Sequence, residues 1–128
     1  MAVRHVTEQT FEETVSEGIV LLDWWASWCG PCRAFGPIFE AAAARHSDVV
    51  FGKVDTEDQP GLASTFDIRS IPTVMAFRDG VLLFAQPGML SAPQVDELIA
   101  KIKAIDMDEL RTRIAAESAQ SSHAEVAS

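Results

Sequence analysis

The hydrophobic residues of this chain fall into short unbroken runs and longer stretches with helical spacing. The run IVLLDWW, residues 19–25, is apolar everywhere except at Asp23, and it predicts a central strand covered on both faces. Four other runs, bounded by polar or turn-forming residues, also have the composition of strands. The predicted strands are residues 3–6, 19–25, 49–55, 73–78 and 81–86.

Helical patterns separate these strands. A first helix carries Phe11 and Val15, with Thr7 or Thr10 as its cap, and ends at Gly18. Further helices are predicted at about 32–46, with a kink at Pro37, at 60–66, and after the capping residue Ser91. Asp79 and Gly80 predict a tight hairpin turn. The order β-α-β-α-β-α-β-β-α predicts an α/β fold with a central mixed sheet flanked by helices.

The apolar pattern changes phase after Ile105. Met107, Leu110 and Ile114 fall about a third of a turn away from the face used before residue 105. We therefore expect residues 1–105 to form the domain and residues 106–128 to form an extension. The extension is predicted to be a separate helix to about residue 119 and a disordered tail from 120. It is interpreted as a helix packed on the domain, a dimer contact or a docking segment.

Charge and composition narrow the function. The chain has 128 residues, enough for one domain with a hydrophobic core. Ten basic against nineteen acidic residues give a net charge of -9, so we expect no nucleic-acid partner. The first residues show no secretory signal, and no apolar run reaches the length of a membrane helix. These features predict a cytoplasmic protein without a membrane partner.

Cys29 and Cys32 are the only cysteines of the chain. They lie between a predicted strand and a predicted helix, whose N-terminal dipole favours a thiolate. An accessible Cys29 thiolate can attack a partner's disulfide, and Cys32, one turn inward, can resolve the mixed disulfide. Pro31 restricts the backbone of this turn. The alternatives are an inert disulfide and a metal site, but the three histidines show no ligand-like spacing to the pair.

Other residues near this segment have two interpretations each. Asp23 is either a strand-end carboxylate in contact with water or a buried group with a raised pKa that exchanges protons. Lys53 is either its partner or a solvated lysine at a strand edge. Trp28 either packs inside or lies partly exposed beside Cys29, and Gly88 is either an ordinary turn residue or a point where a partner backbone approaches. Pro72 can simply begin a strand.

The ordered set of these residues resembles the thioredoxin family over residues 3–105. The resemblance rests on Asp23, WCGPC at 28–32, Pro37, Lys53, Ile71-Pro72-Thr73, Gly80 and Gly88. It implies that Asp23, paired with Lys53, accepts the proton of Cys32, and that Ile71-Pro72 is a cis peptide bond facing Cys29. It also implies a target-binding rim made of Trp28, Gly30, Pro31, Ile71, Pro72 and Gly88. Trp24 and Ser27 depart from the common family pattern, which bears on partner preference.

The resemblance further implies a protein-disulfide reductase that works as a monomer. The Gly-Pro pair between the cysteines resembles that of reducing family members. A flavoprotein thioredoxin reductase drawing on NADPH would regenerate the dithiol, and the chain itself would hold no cofactor or metal. Targets implied by analogy are ribonucleotide reductase, methionine sulfoxide reductases and peroxiredoxins. Two rival hypotheses are a non-catalytic binding module and an exported disulfide oxidase of the same fold.

Overall fold

A computed structural model describes the backbone of residues 3–127 and the side chains of residues 3–119. It contains five strands and five helices within these limits. The elements in chain order are β1 Val3–His5, α1 Phe11–Val15, β2 Ile19–Trp25, α2 Gly30–Arg45, β3 Val50–Asp55, α3 Pro60–Thr65, β4 Thr73–Arg78, β5 Val81–Pro87, α4 Ala92–Lys103 and α5 Met107–Ala127.

The five strands form one mixed sheet in the order β1-β3-β2-β4-β5. Strands β1, β3 and β2 run parallel, and β4 and β5 continue the sheet in antiparallel fashion. Strand β2 is central, with β3 on one side and β4 on the other, because its side chains are apolar on both faces. The predicted α/β fold with a mixed sheet between helices is confirmed.

Helices cover both faces of the sheet. On one face, Phe35 and Phe39 of α2 and Val95 and Ile99 of α4 pack against Leu21 and the other inward side chains of the sheet. On the opposite face, α1 and α3 enclose a second buried cluster, which includes Val15, Val20, Trp24, Leu62 and Phe77. These two cores hold the sheet rigid, so the loops at its ends can position reactive side chains.

The predicted bounds match the structure best where a turn or cap defines them. Strand β4 begins and ends at the predicted residues, and the turn after it has Asp79 at φ 51° and Gly80 at φ 84°, as a tight hairpin requires. Helix α2 begins at Gly30, two residues before the predicted start, because Cys29 itself is the N-cap. Ser91 caps α4 through a reciprocal pair of hydrogen bonds with Gln94.

The predicted break between α4 and α5 is confirmed. Arg78 donates hydrogen bonds to the carbonyls of Ile102 (2.8 Å) and Ile105 (3.0 Å), which stabilises the end of α4. The Asp106 carboxylate accepts the backbone N–H of Glu109 at 3.1 Å and begins α5. Met107 is buried against the domain, as the change of phase requires.

Helix α5 does not end where the sequence pattern predicted. Its backbone is helical to Ala127, so the predicted end near Ala119 and the disordered tail from Gln120 do not match the structure. The segment from 107 to 127 contains neither glycine nor proline, and its alanines and glutamates favour the helix. None of the helices in the described residues is both long and apolar enough to cross a bilayer.

Candidate active site

Four strands bring their ends together at one end of the sheet. The carboxyl ends of parallel β2 and β3 lie beside the start of β4 and the end of β5, because β4 runs antiparallel to both β2 and β5. The registers Trp24 with Thr73 and Thr73 with Pro87 place the following segments next to one another. These segments carry Cys29, Pro72 and Gly88, which the sequence placed in one site.

The two cysteines form a disulfide at the start of α2. Cys29 is the N-cap residue, and its Sγ accepts a hydrogen bond from the backbone N–H of Cys32 at 3.2 Å. The 16-residue helix that follows directs its unpaired N–H groups and the positive end of its dipole toward this sulfur. Both effects stabilise negative charge on the Cys29 sulfur once the disulfide is reduced.

The expected difference in exposure between the two cysteines is not found. Cys29 is 5% exposed and Cys32 is 4% exposed, so the prediction of an openly accessible Cys29 is wrong for this oxidised form. The Sγ atom of Cys29 is bonded to Cys32 and lies 3.6 Å from the carbonyl oxygen of Ile71, and these neighbours cover it. A sulfur in a disulfide carries no proton, so the approach to Ile71 is a packing contact.

The segment facing Cys29 contains a cis peptide bond between Ile71 and Pro72, as the resemblance implied. The carbonyl of Pro72 accepts the backbone N–H of Gly88 at 2.8 Å, which ties this segment to the end of β5. Gly88 has φ 97°, a conformation that L side chains rarely adopt, and a Cβ added there would meet no atom within 4 Å. The backbone at Gly88 is therefore open to an approaching partner.

Asp23 lies in the middle of β2, fully buried, and neither of its carboxylate oxygens has a hydrogen-bond partner among the described residues. Two effects set the pKa of Asp23, which is raised to about 6. Burial is the larger effect and raises the pKa, and the positive charge of Lys53 partly opposes it. The interpretation of Asp23 as a buried carboxyl with a raised pKa is confirmed. Such a group can exchange a proton near neutral pH.

Lys53 lies beside Asp23 on the neighbouring strand, and the register of β2 and β3 pairs the two residues. Its Nζ atom is 3.8 Å from the Asp23 carboxylate and 4.9 Å from the centre of the Trp25 ring. A Cβ added at Gly36 of α2 would lie 3.7 Å from the same nitrogen, so the amine sits under the helix. Lys53 is thus a mostly buried partner of Asp23 and not a solvated edge lysine.

Trp28 is 65% exposed and stands beside the disulfide, in agreement with the interpretation of a contact residue. Its indole N–H donates a hydrogen bond to the Glu57 carboxylate at 2.7 Å. Glu57 lies in the turn after β3, and its own backbone N–H donates to the Asp55 carboxylate at 2.9 Å. The sequence analysis did not predict a role for Glu57. The usable signal was its position just after β3, the strand that pairs with β2, because this places an acidic side chain near the segment that follows β2.

Polar clusters elsewhere join elements and do not form a second site. At the end of α2, the Asp96 carboxylate lies 2.6 Å from His46 Nε2 and 2.9 Å from the Arg45 guanidinium, which links α2 to α4. These two contacts lower the pKa of Asp96. Within the described part of the chain, no three histidine, cysteine, aspartate or glutamate residues lie close enough to hold a metal ion.

A disulfide at a helix N-terminus, in contact with the segment that carries a cis-proline, defines a thiol–disulfide exchange site on an α/β sheet. Comparison with known proteins agrees with this class. The sequence model of the thioredoxin family matches residues 2–104. The chain belongs to the thioredoxin family, whose members are protein-disulfide oxidoreductases and act with a thioredoxin reductase and disulfide substrates.

Three relatives show the extent of the similarity. "Putative thioredoxin 2" of Streptomyces coelicolor is 49% identical over 116 residues, which cover 90% of this chain and 87% of the relative. A thioredoxin of Listeria monocytogenes is 36% identical over 100 residues, 77% of this chain and 97% of the relative. Thioredoxin 1 of Synechococcus elongatus is 49% identical over 78 residues, 59% of this chain and 73% of the relative. The chain is accordingly a thiol–disulfide oxidoreductase with a redox-active cysteine pair.

Proposed function

We propose that this protein reduces protein disulfides and that Cys29 is the attacking group. The observation that carries the proposal is the position of Cys29 at the N-cap of α2, where its Sγ accepts the Cys32 N–H at 3.2 Å. In the reduced protein, the Cys29 thiolate attacks one sulfur of the target disulfide. A mixed disulfide forms, and the other target sulfur leaves as a thiolate.

Cys32 then completes the exchange. Asp23, whose pKa is raised to about 6, accepts the proton of the Cys32 thiol, and Lys53 stabilises the carboxylate that accepts it. The Cys32 thiolate attacks the Cys29 sulfur, the Cys29–Cys32 disulfide forms, and the second target sulfur is released. Two electrons pass from the protein to the target, which takes up two protons. The rim of Trp28, Gly30, Pro31, Ile71, Pro72 and Gly88 holds the target.

The oxidised protein needs an electron donor. We assign this role to a flavoprotein thioredoxin reductase that uses NADPH, in line with the family to which the chain belongs. We further propose a cytoplasmic monomer whose targets are of the kind named by analogy: ribonucleotide reductase, methionine sulfoxide reductases and peroxiredoxins. The Gly-Pro pair between the cysteines, typical of reducing members, supports this direction of electron flow.

The test is the reduction of insulin disulfides coupled to NADPH oxidation through a thioredoxin reductase. We expect turnover with the wild-type protein and none with Cys29→Ser or Cys32→Ser. The two variants differ in one respect: Cys32→Ser retains the attacking sulfur and accumulates a mixed disulfide with the target, whereas Cys29→Ser does not. Non-reducing electrophoresis followed by mass spectrometry identifies the adduct and the cysteine that carries it.

The result also separates the rival functions. Unchanged biological activity in a Cys29→Ser, Cys32→Ser double variant would support a non-catalytic binding module and contradict the proposal. A strongly oxidising potential of the pair, measured against a glutathione buffer, would support the exported oxidase. Failure of the wild-type protein to turn over several disulfide substrates with a competent reductase would overturn reductase activity itself.

A further inference from the structure

The indole ring of Trp25 lies against the Lys53 amine, and the proposed reaction gives this ring no role. The Nζ atom of Lys53 is 4.9 Å from the ring centre, within the roughly 6 Å over which a cation is attracted to an aromatic face. Tryptophan is the strongest of the aromatic partners. The Lys53 side chain is only 14% exposed, so water and salt screen this contact weakly. The contact is therefore one of the electrostatic interactions of the buried site.

The three tryptophans around the active-site segment are used in different ways. Trp28 stands in water and donates its indole N–H to Glu57. Trp24 is fully buried, and its ring centre lies 5.6 Å from that of Phe66 in the aromatic cluster. The ring nitrogen of Trp25 is buried and has no hydrogen-bond partner among the described residues. The polar contact that Trp25 makes is thus through its ring face, to a charged group.

Strand geometry places Trp25 where it can hold the amine. Side chains two residues apart in a strand share a face, so Trp25 and Asp23 lie on one side of the sheet and Trp24 on the other. The register of β2 and β3 pairs Asp23 with Lys53. Helix α2 covers the same side, with Gly36 close to the amine. The amine is therefore enclosed by a carboxyl group, an aromatic ring and a helix.

The Asp23 carboxylate does not fix the position of the amine by itself. The 3.8 Å between Lys53 Nζ and the carboxylate is longer than a hydrogen bond, and neither carboxylate oxygen has a hydrogen-bond partner in the described residues. A lysine side chain is flexible and loses rotamer freedom when it is held in one place. The ring of Trp25 supplies a second contact that offsets this loss.

We propose that Trp25 is a positioning residue: its ring holds the Lys53 ammonium in place as the counter-charge of the Asp23 carboxylate. The inference rests on the proposed function, in which this carboxylate accepts the proton of Cys32. Loss of the ring frees the amine to move towards water, which takes a positive charge away from the carboxylate. The pKa of Asp23 then rises, because Lys53 is the group that lowers it. Asp23 accepts the proton only at higher pH in that case.

The other titratable groups near the pair leave Lys53 as its counter-charge. By register and strand alternation, the same side of the sheet carries His5 of β1 and Asp55 of β3. Helix α2 adds Cys29, Cys32 and the exposed Arg33 and Glu40. Helix α4 packs on this side as well, and its charged side chains form ion pairs with partners other than Asp23: Asp96 with Arg45 and His46, Glu97 with Lys101, and Lys103 with Asp48.

The test is a double-mutant cycle that reports the pKa of Asp23. Wild type, Trp25→Leu, Lys53→Met and the double variant are prepared as oxidised full-length proteins with isotope-labelled aspartate carboxyl groups, and Asp23 is titrated by NMR. We expect Trp25→Leu to raise the pKa by about half a pH unit, the size expected for loss of a partly desolvated cation–π contact. Lys53→Met should raise it at least as much. Trp25→Leu should add nothing in the Lys53→Met protein, because the ring acts only through the amine.

A purely structural role of the ring predicts a different result. If Trp25 only shields Asp23 from water, its loss lowers the pKa in both backgrounds, since burial is what raises it. Trp25→Phe keeps an aromatic ring and should restore most of the wild-type pKa. It also carries the cycle, with the same sign and a smaller shift, if Trp25→Leu does not fold. Trp24→Phe is the matched control, because it removes an indole from the opposite side of the sheet and should leave the pKa unchanged.

The effect on the reaction is read from the decay of the mixed disulfide. Reduced protein is mixed with a peptide disulfide in a single turnover, and acid quenching with chromatography separates the mixed disulfide from the product. Asp23 must be ionised to accept the proton of Cys32. We therefore expect Trp25→Leu to slow this decay about two- to threefold at pH 5.5 and to leave it unchanged at pH 8.

Each other outcome contradicts a defined part of the inference. An equal change of the pKa in both backgrounds, or a fall, would overturn the positioning role of Trp25 and leave the reductase function intact. A raised pKa with an unchanged pH profile of the decay would overturn the link to the reaction. If the wild-type protein did not reduce insulin, the proposed function would fail and the catalytic part of the inference with it.

Discussion

At the scale of single residues, the buried carboxyl of Asp23 has the largest effect on how the protein responds to pH. Its pKa in the folded state is about 6, against 3.8 for an unperturbed aspartate. The folded state therefore holds a proton that the unfolded state releases between these values. Protonated Asp23 therefore contributes to the unfolding free energy. The contribution is complete below pH 3.8 and is lost as the pH rises through about 6. About two pKa units correspond to about 3 kcal/mol of unfolding free energy.

We predict that Asp23→Asn raises the unfolding free energy at pH 7.5 by about 3 kcal/mol and changes it little at pH 4. The amide has no charge to desolvate, so the substitution removes a cost that builds up between pH 3.8 and about 6 and is complete above that range. Urea unfolding at a series of pH values measures the effect. Asp58→Asn, in an exposed turn, is the control. An equal gain at both pH values would show that ionisation is not the cause.

Glu57 is a positioning residue, because it acts on targets only through its 2.7 Å hydrogen bond to Trp28. We predict that Glu57→Ala raises KM for insulin about threefold with kcat unchanged, since the indole loses one charge-assisted hydrogen bond at a solvent-exposed site. The Trp28 fluorescence should shift at the same time. Glu57→Gln can still accept the indole N–H and should restore both properties. Asp58→Ala, one residue along the turn, should change neither.

Residue contacts of this kind mark the limit of prediction from the sequence. The cysteine pair was predicted from its position at a helix start, whereas the pairing of Asp23 with Lys53 was implied only by the resemblance to the thioredoxin family. Glu57 was missed because its role depends on which strand ends become neighbours in the sheet. The exposure of Cys29 was predicted wrongly because the cover comes from Ile71, 42 residues away in the sequence.

At the scale of elements, the two C-terminal helices are held in different ways. Helix α4 buries Val95, Leu98, Ile99 and Ile102 in the main core, whereas Met107 is the only buried residue in the described side chains of α5. A helix that packs through four buried residues is part of the cooperative fold. A helix that packs through one can open locally without the rest of the domain.

The two capping residues should therefore respond differently to substitution. Ser91→Ala is predicted to lower the global unfolding free energy by about 1 kcal/mol, because it breaks the cap of α4. Asp106→Ala removes the matching hydrogen bond of α5 and should leave the global value unchanged within about 0.3 kcal/mol. Hydrogen exchange of the amides in the first turns of α5 should become faster in Asp106→Ala. A global loss in both variants would contradict the difference between the helices.

The same contrast explains which bounds the sequence could predict. Strand β4 was predicted to the residue because its neighbours are a turn and a proline, both of which are visible in the sequence. The end of α5 was not predicted correctly. The amphipathic pattern weakens after Ile114, but the residues that follow still favour a helix. The kink expected at Pro37 stays a prediction; the structure does place this proline inside α2.

At the scale of the whole molecule, the extension lies far from the disulfide. Arg111 of α5 is 3.8 Å from the Asp79 carboxylate, in the β4–β5 turn at the opposite end of the sheet. The match to the Streptomyces coelicolor relative spans 116 residues of sequence, more than the 105 residues assigned to the domain, so it includes part of the extension. The division of the chain at residue 105 stays a prediction that removal of the extension can test.

We predict that a chain ending at Ile105 reacts with insulin within about twofold of the wild-type rate. Its unfolding free energy should stay within about 0.3 kcal/mol of the full-length value, because α5 opens locally without the rest of the domain. Single-turnover reduction and urea unfolding measure the two quantities. Met107→Ala in the full-length chain is the matched control and should likewise leave the unfolding free energy nearly unchanged. A tenfold slower reaction of the shortened chain would instead indicate that α5 takes part in target docking.

The direction of the strands gives the molecule a front and a back. Strand β1 is parallel to β3, so Val3 lies at the back of the sheet, and α5 is anchored at the same end through Asp79. The sulfurs occupy the front. A surface, a fluorophore or a second protein attached at either of these rear positions would leave the approach to the disulfide clear, so the enzyme can be immobilised in a known orientation while it continues to exchange electrons.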